Sequence, residues 1–223
     1  MTQSCTSSFI LRYFNVTGRA EASRLLLTIA KVNWTEENPE WPQEKENQPF
    51  GRLPVLVEKS ANNEADFVLS ESHAIERYLG RLTGLLPSNL KEAARQEELQ
   101  EQLGDIAEQF SRQIVEYEDL KKAAQESFND LLDRMFRVHS KILRENGNNG
   151  HYFGDTLSFI DVMSYSFLNL FITYMEIYRS DIASVFQSRM TPEFVKLVAA
   201  VESDPLLESY IAQRGKIYHL VSQ

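Results

Sequence analysis

In the first third of the chain a set of polar residues stands at the ends of regular segments, where side chains can meet a ligand without breaking a core. Tyr13 closes a strand-like run, Arg19 opens the helical pattern after it, and Trp41 and Lys45 share one polar loop. Arg52 precedes Leu53-Pro54, and Glu71 and Ser72 open a further helix. A strand-opening proline and a hydroxyl at a helix N-terminus suit an anion or a peptide backbone. Taken singly, the others also have plain structural roles: Tyr13 as a strand tyrosine, Trp41 as a loop plug, Arg19 as a helix-end charge, Lys45 and Arg52 as solvated surface cations. Other chemistries find no pattern. His73, His139, His151 and His219 are scattered, with no cysteine or carboxylate at metal-ligand spacing, so no metal is expected. There is no G-x-S-x-G elbow, no phosphate-binding G-x-x-x-x-G-K-S/T loop and no G-x-G-x-x-G, which removes the commonest hydrolase, nucleotide and dinucleotide fingerprints.

The elements that must position these residues change character near residue 83. Phe9 to Phe14 reads as a strand ending at Asn15-Val-Thr-Gly18, and Arg19 to Lys31 as a helix with Leu25, Leu26 and Ile29 facing inward. Val32 to Thr35 is a second strand candidate. The polar stretch Glu36 to Pro49 reads as a loop with one helical turn. Leu53 to Val57 and Phe67 to Leu69 add two strands, and Ser70 is placed to cap a helix from Glu71 to about Leu82. The order β-α-β-α-β-β-α predicts a small mixed sheet with helices packed against it. Pro54, which cannot donate to a ladder, marks an edge, a bulge or a cis bond at the strand's opening.

Thr83-Gly-Leu-Leu-Pro-Ser-Asn89 reads as a linker, and the remainder as helix after helix. Leu99, Leu103, Ile106, Phe110, Ile114 and Tyr117 recur at helical spacing on one face of a long helix. Phe128 to Leu143 gives a second helix stopped at Asn146-Gly147; Thr191-Pro192-Glu193 opens another, and Asp204-Pro205 the last. Ser158-Phe-Ile-Asp161 is a capping arrangement at the mouth of the apolar stretch Phe159 to Tyr178. Asp161, Asn169 and Glu176 make that stretch a buried helix of a soluble protein rather than a membrane span. The expected organisation is α/β plus all-α: a loose tail over 1–8, a first domain over 9–82, a linker over 83–90 and an all-helical domain over 91–223.

Composition sets the outer limits. With 43% hydrophobic and 25% charged residues among 223, the chain can bury a sizeable core, and wholesale disorder is excluded. A net charge of -9 with no Lys/Arg-rich run leaves no electrostatic footprint for nucleic acid. Cys5, the single cysteine, cannot form an intrachain disulfide, and the start carries no apolar or Arg-rich targeting segment. Both fit a cytoplasmic protein.

Four motifs stand in order: Tyr13-Phe-Asn-x-x-Gly-Arg-Ala-Glu21, Trp41-Pro-x-x-Lys45, Phe50-Gly-Arg-Leu-Pro-Val55 and Glu71-Ser-x-Ala-Ile-x-Arg-Tyr-Leu79. With them the chain resembles the cytosolic glutathione transferases over nearly its whole length, the first two motifs pointing to the sigma-like branch. The resemblance implies a thioredoxin-like glutathione-binding domain, an all-helical domain, a homodimer, and a detoxifying enzyme with glutathione as co-substrate and no cofactor. It implies that Tyr13 bonds the glutathione sulfur with Arg19 flanking it, and that Trp41 and Lys45 hold the glycyl carboxylate. It also implies that the backbone of Leu53 pairs with the cysteinyl unit ahead of a cis Pro54. Glu71 and Ser72 would bind the γ-glutamyl end, where sigma-like proteins usually carry Gln-Ser. Glutathione has two carboxylates and one ammonium, and Lys45, Arg52 and Glu71 supply both complementary signs. A small apolar electrophile is expected between the two domains, against Phe14, Phe110 and Ile114.

Some features depart from the pattern. Sigma-like prostaglandin isomerases carry a tryptophan where Glu116 stands, so prostaglandin D synthesis is not expected. Gln109 precedes Phe110 where the family sets an acid that reaches the neighbouring subunit's γ-glutamyl ammonium, with Asp105 and Glu108 nearby. The Lys59-to-Asp66 connection is longer than is usual. The alternative reading is a non-catalytic glutathione-binding or structural protein on the same fold, like lens crystallins of this branch or elongation-factor gamma subunits. Against it stands the retention of Tyr13, Trp41, Lys45 and Ser72 together.

Overall fold

The computed structural model describes residues 8–60, 64–111 and 121–215, and the chain divides into two compact units, Met1–Leu86 and Pro87–Gln223. In the first unit β1 (Ser8–Arg12), β2 (Asn33–Glu37), β3 (Val55–Lys59) and β4 (Phe67–Ser70) form one sheet in the order β2-β1-β3-β4. β1 and β2 are parallel and are joined by the crossover helix α1 (Glu21–Ala30), whereas β3 runs antiparallel to both its neighbours. The mixed sheet expected from the element order is present, and α2 (Ser72–Thr83) packs on α1. Val55, Leu56 and Val57 of the interior strand β3 are all buried, as suits a strand covered on both faces. The edge strand β2 is mostly exposed and carries Glu36 and Glu37, charges that discourage further pairing.

Several boundaries differ from the sequence reading. β1 stops at Arg12, and Tyr13 follows it, although the Tyr13 amide still donates to the Glu37 carbonyl at 3.0 Å. The helix read from Arg19 begins as a 3-10 turn, Gly18–Ala20, and β3 starts just after Pro54. Ser70 does not cap α2. It pairs with Val55 as the last residue of β4, its hydroxyl is buried without a hydrogen bond, and Glu71 takes the N-cap position at φ 70°, ψ 118°. A serine held in the ladder is one residue too early to bend back over the helix.

The second unit contains α3 (Leu90–Gln109), α4 (Lys121–Glu145), α5 (Phe159–Asn169), α6 (Met175–Tyr178), α7 (Ser180–Gln187), α8 (Pro192–Ser203) and α9 (Glu208–Arg214). Asn89 caps α3 by accepting from the amides of Lys91 and Glu92. Leu99, Leu103, Ile106 and Phe110 are buried as the helical spacing requires, while Ile114 and Tyr117 lie outside the described residues. Every residue of α5 is buried, which explains its unbroken apolar run, and a π-helical turn, Leu170–Tyr174, joins it to α6. Among the described residues no helix is long and apolar enough to cross a membrane. Ser158 and Asp161 face each other as a capping box. Its strong half is the Asp161 carboxylate accepting the Ser158 amide at 2.8 Å; the Ser158 hydroxyl faces the Asp161 amide without making a full hydrogen bond. Thr191 caps α8 as read, but α9 opens at Glu208, because the Asp204 carboxylate instead accepts the Leu206 amide and closes a turn first.

Candidate functional site

The sheet register gathers the candidate residues at one end of the first unit. Arg12 lies opposite Val55, and Val55 opposite Ser70. One position further along the sheet, Tyr13, Pro54 and Glu71 therefore stand in line across three strands. At about 4.8 Å per strand step the line is about 10 Å long, the span of an extended tripeptide.

Tyr13 sits at the β1 end of this line, with its hydroxyl at the first turn of helix. The Arg19 amide donates to the Tyr13 oxygen at 3.0 Å. That bond occupies a lone pair and leaves the phenolic proton to donate elsewhere. Gly18, at φ 46°, makes the approach possible: a Cβ there would stand 2.5 Å from the Tyr13 oxygen. The sequence showed this glycine as part of a motif; its reason is steric and conformational.

Phe14 and Trp41 form an aromatic wall beside Tyr13. The Tyr13 and Phe14 ring centroids are 5.5 Å apart, and Phe14 meets Trp41 edge-on, also at 5.5 Å. The Trp41–Pro42 peptide is cis and Trp41 remains 36% exposed, so it is not spent as a core plug. Lys45 opens the 3-10 turn Lys45–Asn47, and its aliphatic stem lies beside Gly51. The side chains of Arg19, Lys45 and Arg52 are exposed and make no ion pair among the described residues, whereas Arg12, Arg24 and Lys59 of the same unit are each paired with a carboxylate.

At the other end of the line the Leu53–Pro54 peptide is cis, one of the three possibilities raised by that proline's position. Glu71 holds a positive φ of 70°, uncommon for a residue with a side chain, and its carboxylate is exposed with no partner among the described residues. Ser72, the first residue of α2, is buried, and its hydroxyl makes no hydrogen bond among the described residues. An acid and a hydroxyl thus flank a helix N-terminus whose first amides are not capped by a side chain.

Phe110 belongs to the aromatic core of the second unit: it is 5% exposed and packs 5.8 Å from Phe128 and 5.2 Å from Phe171. Ile114 and Glu116, with Cys5 and His219, lie outside the described residues. Among the described residues no group of three or more His, Cys, Asp or Glu is arranged to hold a metal. His139 is buried between Tyr152 and Gln102, and His151 bonds Asp161. Sequence reading missed Arg24, which is fully buried on α1 and turns back toward the loop between Tyr13 and Gly18. The available signal was a Glu-x-x-Arg pair, Glu21 and Arg24, inside a mostly apolar helix.

Residues 10–81 match the glutathione S-transferase N-terminal domain, and residues 104–214 match the glutathione S-transferase C-terminal domain. The chain is similar to the probable glutathione S-transferase gst-36 of Caenorhabditis elegans, 30% identical over 220 residues that cover 92% of this chain and 96% of that one. Among solved structures it is similar to a Nu-class GST from Haemonchus contortus, with a TM-score of 0.73 and 27% identity over 94% of this chain and 98% of that one. The fold is shared with a sigma class GST of Fasciola hepatica, with a TM-score of 0.76 and 23% identity over 96% of this chain and 99% of that one.

Proposed function

The chain belongs to the glutathione S-transferase family, and from that membership we propose that it activates the glutathione thiol with the Tyr13 hydroxyl and joins it to small apolar electrophiles. The observation that carries this reading is the bond from the Arg19 amide to the Tyr13 oxygen, which leaves the phenolic proton free to donate to a sulfur anion. Lys45 and Arg52, cations without a carboxylate partner among the described residues, suit the carboxylates of glutathione, with Trp41 alongside. The backbone at Leu53 and Pro54 suits its cysteinyl unit, and Glu71 with Ser72 suits its ammonium end. Arg19 adds positive charge near the sulfur. Phe14 offers an apolar wall to the electrophile, whereas Phe110 contributes through the helical core.

The energetics are moderate. A thiol of pKa about 8.5 is roughly 3% ionised at pH 7, and one lowered to about 6.5 is roughly three-quarters ionised. That shift corresponds to about 2.7 kcal/mol, within reach of one or two hydrogen bonds to a charged sulfur aided by the start of a helix. The gain in thiolate is at most about 25-fold and is partly offset because a less basic thiolate is a weaker nucleophile. Holding the electrophile at the sulfur supplies the rest. The thiol proton goes to solvent, a carbon–sulfur bond forms, and the electrophile's leaving group departs.

In its finer form the proposal is a cytoplasmic, homodimeric detoxification enzyme of the sigma-like branch, without prostaglandin D synthesis. Its glutathione-binding domain is 9–82 and its helical domain 91–223, with 1–8 as tail and 83–90 as linker. Calorimetry with glutathione, followed by conjugation of an aryl halide, tests it. The native chain is expected to bind and turn over, and Tyr13→Phe to bind comparably but turn over slowly. Binding without turnover in the native chain supports the non-catalytic alternative, and unchanged turnover in Tyr13→Phe removes that residue from its role.

A further inference from the structure

We propose that Arg24 is a positioning residue for sulfur activation, holding the loop from Phe14 to Thr17 so that the Arg19 amide stays on the Tyr13 oxygen. This rests on the role proposed for Tyr13. Its five N–H groups serve six acceptor contacts within the first unit, Nη1 sharing its two hydrogens among three oxygens. Nη1 donates to the carbonyls of Val16 at 2.9 Å and Thr17 at 3.0 Å and to the Glu21 carboxylate at 3.0 Å. Nη2 donates to the Phe14 carbonyl at 3.3 Å and, with Nε, to the Glu36 carboxylate.

Three carbonyls of one short loop thus converge on a single side chain that is 0% exposed. The loop has little else to hold it: among the described residues the only hydrogen bond between its own backbone groups runs from the Val16 amide to the Phe14 carbonyl at 2.7 Å. The same loop joins Tyr13 to Gly18, and the guanidinium carbon lies 5.8 Å from the centre of the Tyr13 ring. Releasing the carbonyls would let Gly18 and the Arg19 amide drift from the phenol. The Tyr13 hydroxyl could then satisfy itself by donating to a freed carbonyl, and its proton would be lost to the sulfur. Two carboxylates, Glu21 and Glu36, neutralise the buried cation and fix its plane. A lysine keeps the charge but has three N–H donors where arginine has five, in a planar fork.

The test is the pH–rate profile of aryl-halide conjugation for native chain, Arg24→Lys and Glu36→Gln. For Arg24→Lys, kcat/KM at pH 6.5 is expected to fall about fivefold and to recover toward native above the free-thiol pKa of about 8.5. The profile midpoint moves up about one unit, while KM for glutathione stays within about twofold. Glu36→Gln moves the midpoint the same way by less, and carries the test alone if Arg24→Lys does not fold. A folded variant that loses only thermal stability, or loses rate equally at all pH values, would overturn the inference. If the native chain itself shows no ionised thiol below pH 7.5, the role of Tyr13 fails first, and this inference with it.

Discussion

At the open end of the sheet, Lys45, Arg52, Glu71 and Ser72 make no side-chain hydrogen bond or ion pair among the described residues, while in the helical unit a comparable set is consumed. His139 is fully buried; its Nε2 meets Gln102 Oε1 at 2.9 Å, and its Nδ1 meets the Tyr152 hydroxyl at 2.6 Å. With Gln102 accepting, Nε2 carries the proton and Nδ1 accepts from Tyr152, which in turn accepts from Ser164 at 3.1 Å. Every link has its partner, and burial lowers the His139 pKa to about 4, so the ring is neutral. Asp161 is likewise spent: it accepts the amides of Ser158 and Tyr152 and bonds His151. The lesson is that residue type does not separate folding from function. A polar group left without a partner at a sheet end is available to a ligand, and one closed into a buried chain serves the fold.

Breaking the open end should cost rate and leave stability intact. Tyr13→Phe is expected to lower turnover by about 10- to 25-fold, up to the whole gain in thiolate and within the worth of one hydrogen bond to a charged atom. Gly18→Ala, the exception to intact stability because the residue holds φ 46° and an added Cβ meets the phenol, should cost nearly as much rate, both being read by initial rates at saturating glutathione. Breaking the closed chain should do the reverse. Tyr152→Phe leaves His139 Nδ1 and the Ser164 hydroxyl without their partner and is expected to cost about 1–3 kcal/mol in urea denaturation. Turnover per folded molecule should stay native; a mutant that is stable but slow would erase the contrast.

Smaller effects sharpen it. Lys45→Ala should weaken glutathione binding by about fivefold in calorimetry, with an unchanged melting temperature, because an exposed surface cation contributes little to the fold. The two histidines of the helical unit should give opposite pH slopes. Hydrogen bonding to Asp161 raises the His151 pKa, with Asp204 and Asp155 adding to it against partial desolvation. Its stabilisation is complete below the unfolded value of 6.5 and is lost as pH rises through the folded pKa. His139, depressed by burial, instead withdraws stability as pH falls from 6.5 toward about 4. His151→Asn should flatten the alkaline slope in thermal melts and leave the acid limb; an unchanged alkaline slope would assign it to another group.

Much of the architecture was legible because hydrophobic spacing and turn chemistry act locally. The short apolar run Phe9 to Leu11, the apolar steps from Leu99 to Phe110 and the Thr191-Pro192 start each specify an element without long-range help. Ser70 misled because the same hydroxyl that favours a cap also fits the end of a strand, and only pairing with Val55 decides between them. Asp204-Pro205 misled in the same way: the carboxylate closes a turn before any helix begins. At the site, motif spacing named Tyr13, Lys45 and Glu71, but their alignment comes from strand register, which no single segment encodes. The hold of Arg24 on the loop was hidden because that hold runs through backbone carbonyls, which have no letter in a sequence.

The most direct test of the account is an ultraviolet titration of glutathione bound at saturation to the native protein. A thiolate band already developed at pH 7 and titrating near 6.5, shifted upward in Tyr13→Phe, is the predicted result. A bound thiol that ionises only near 8.5, as it does free in water, would contradict it.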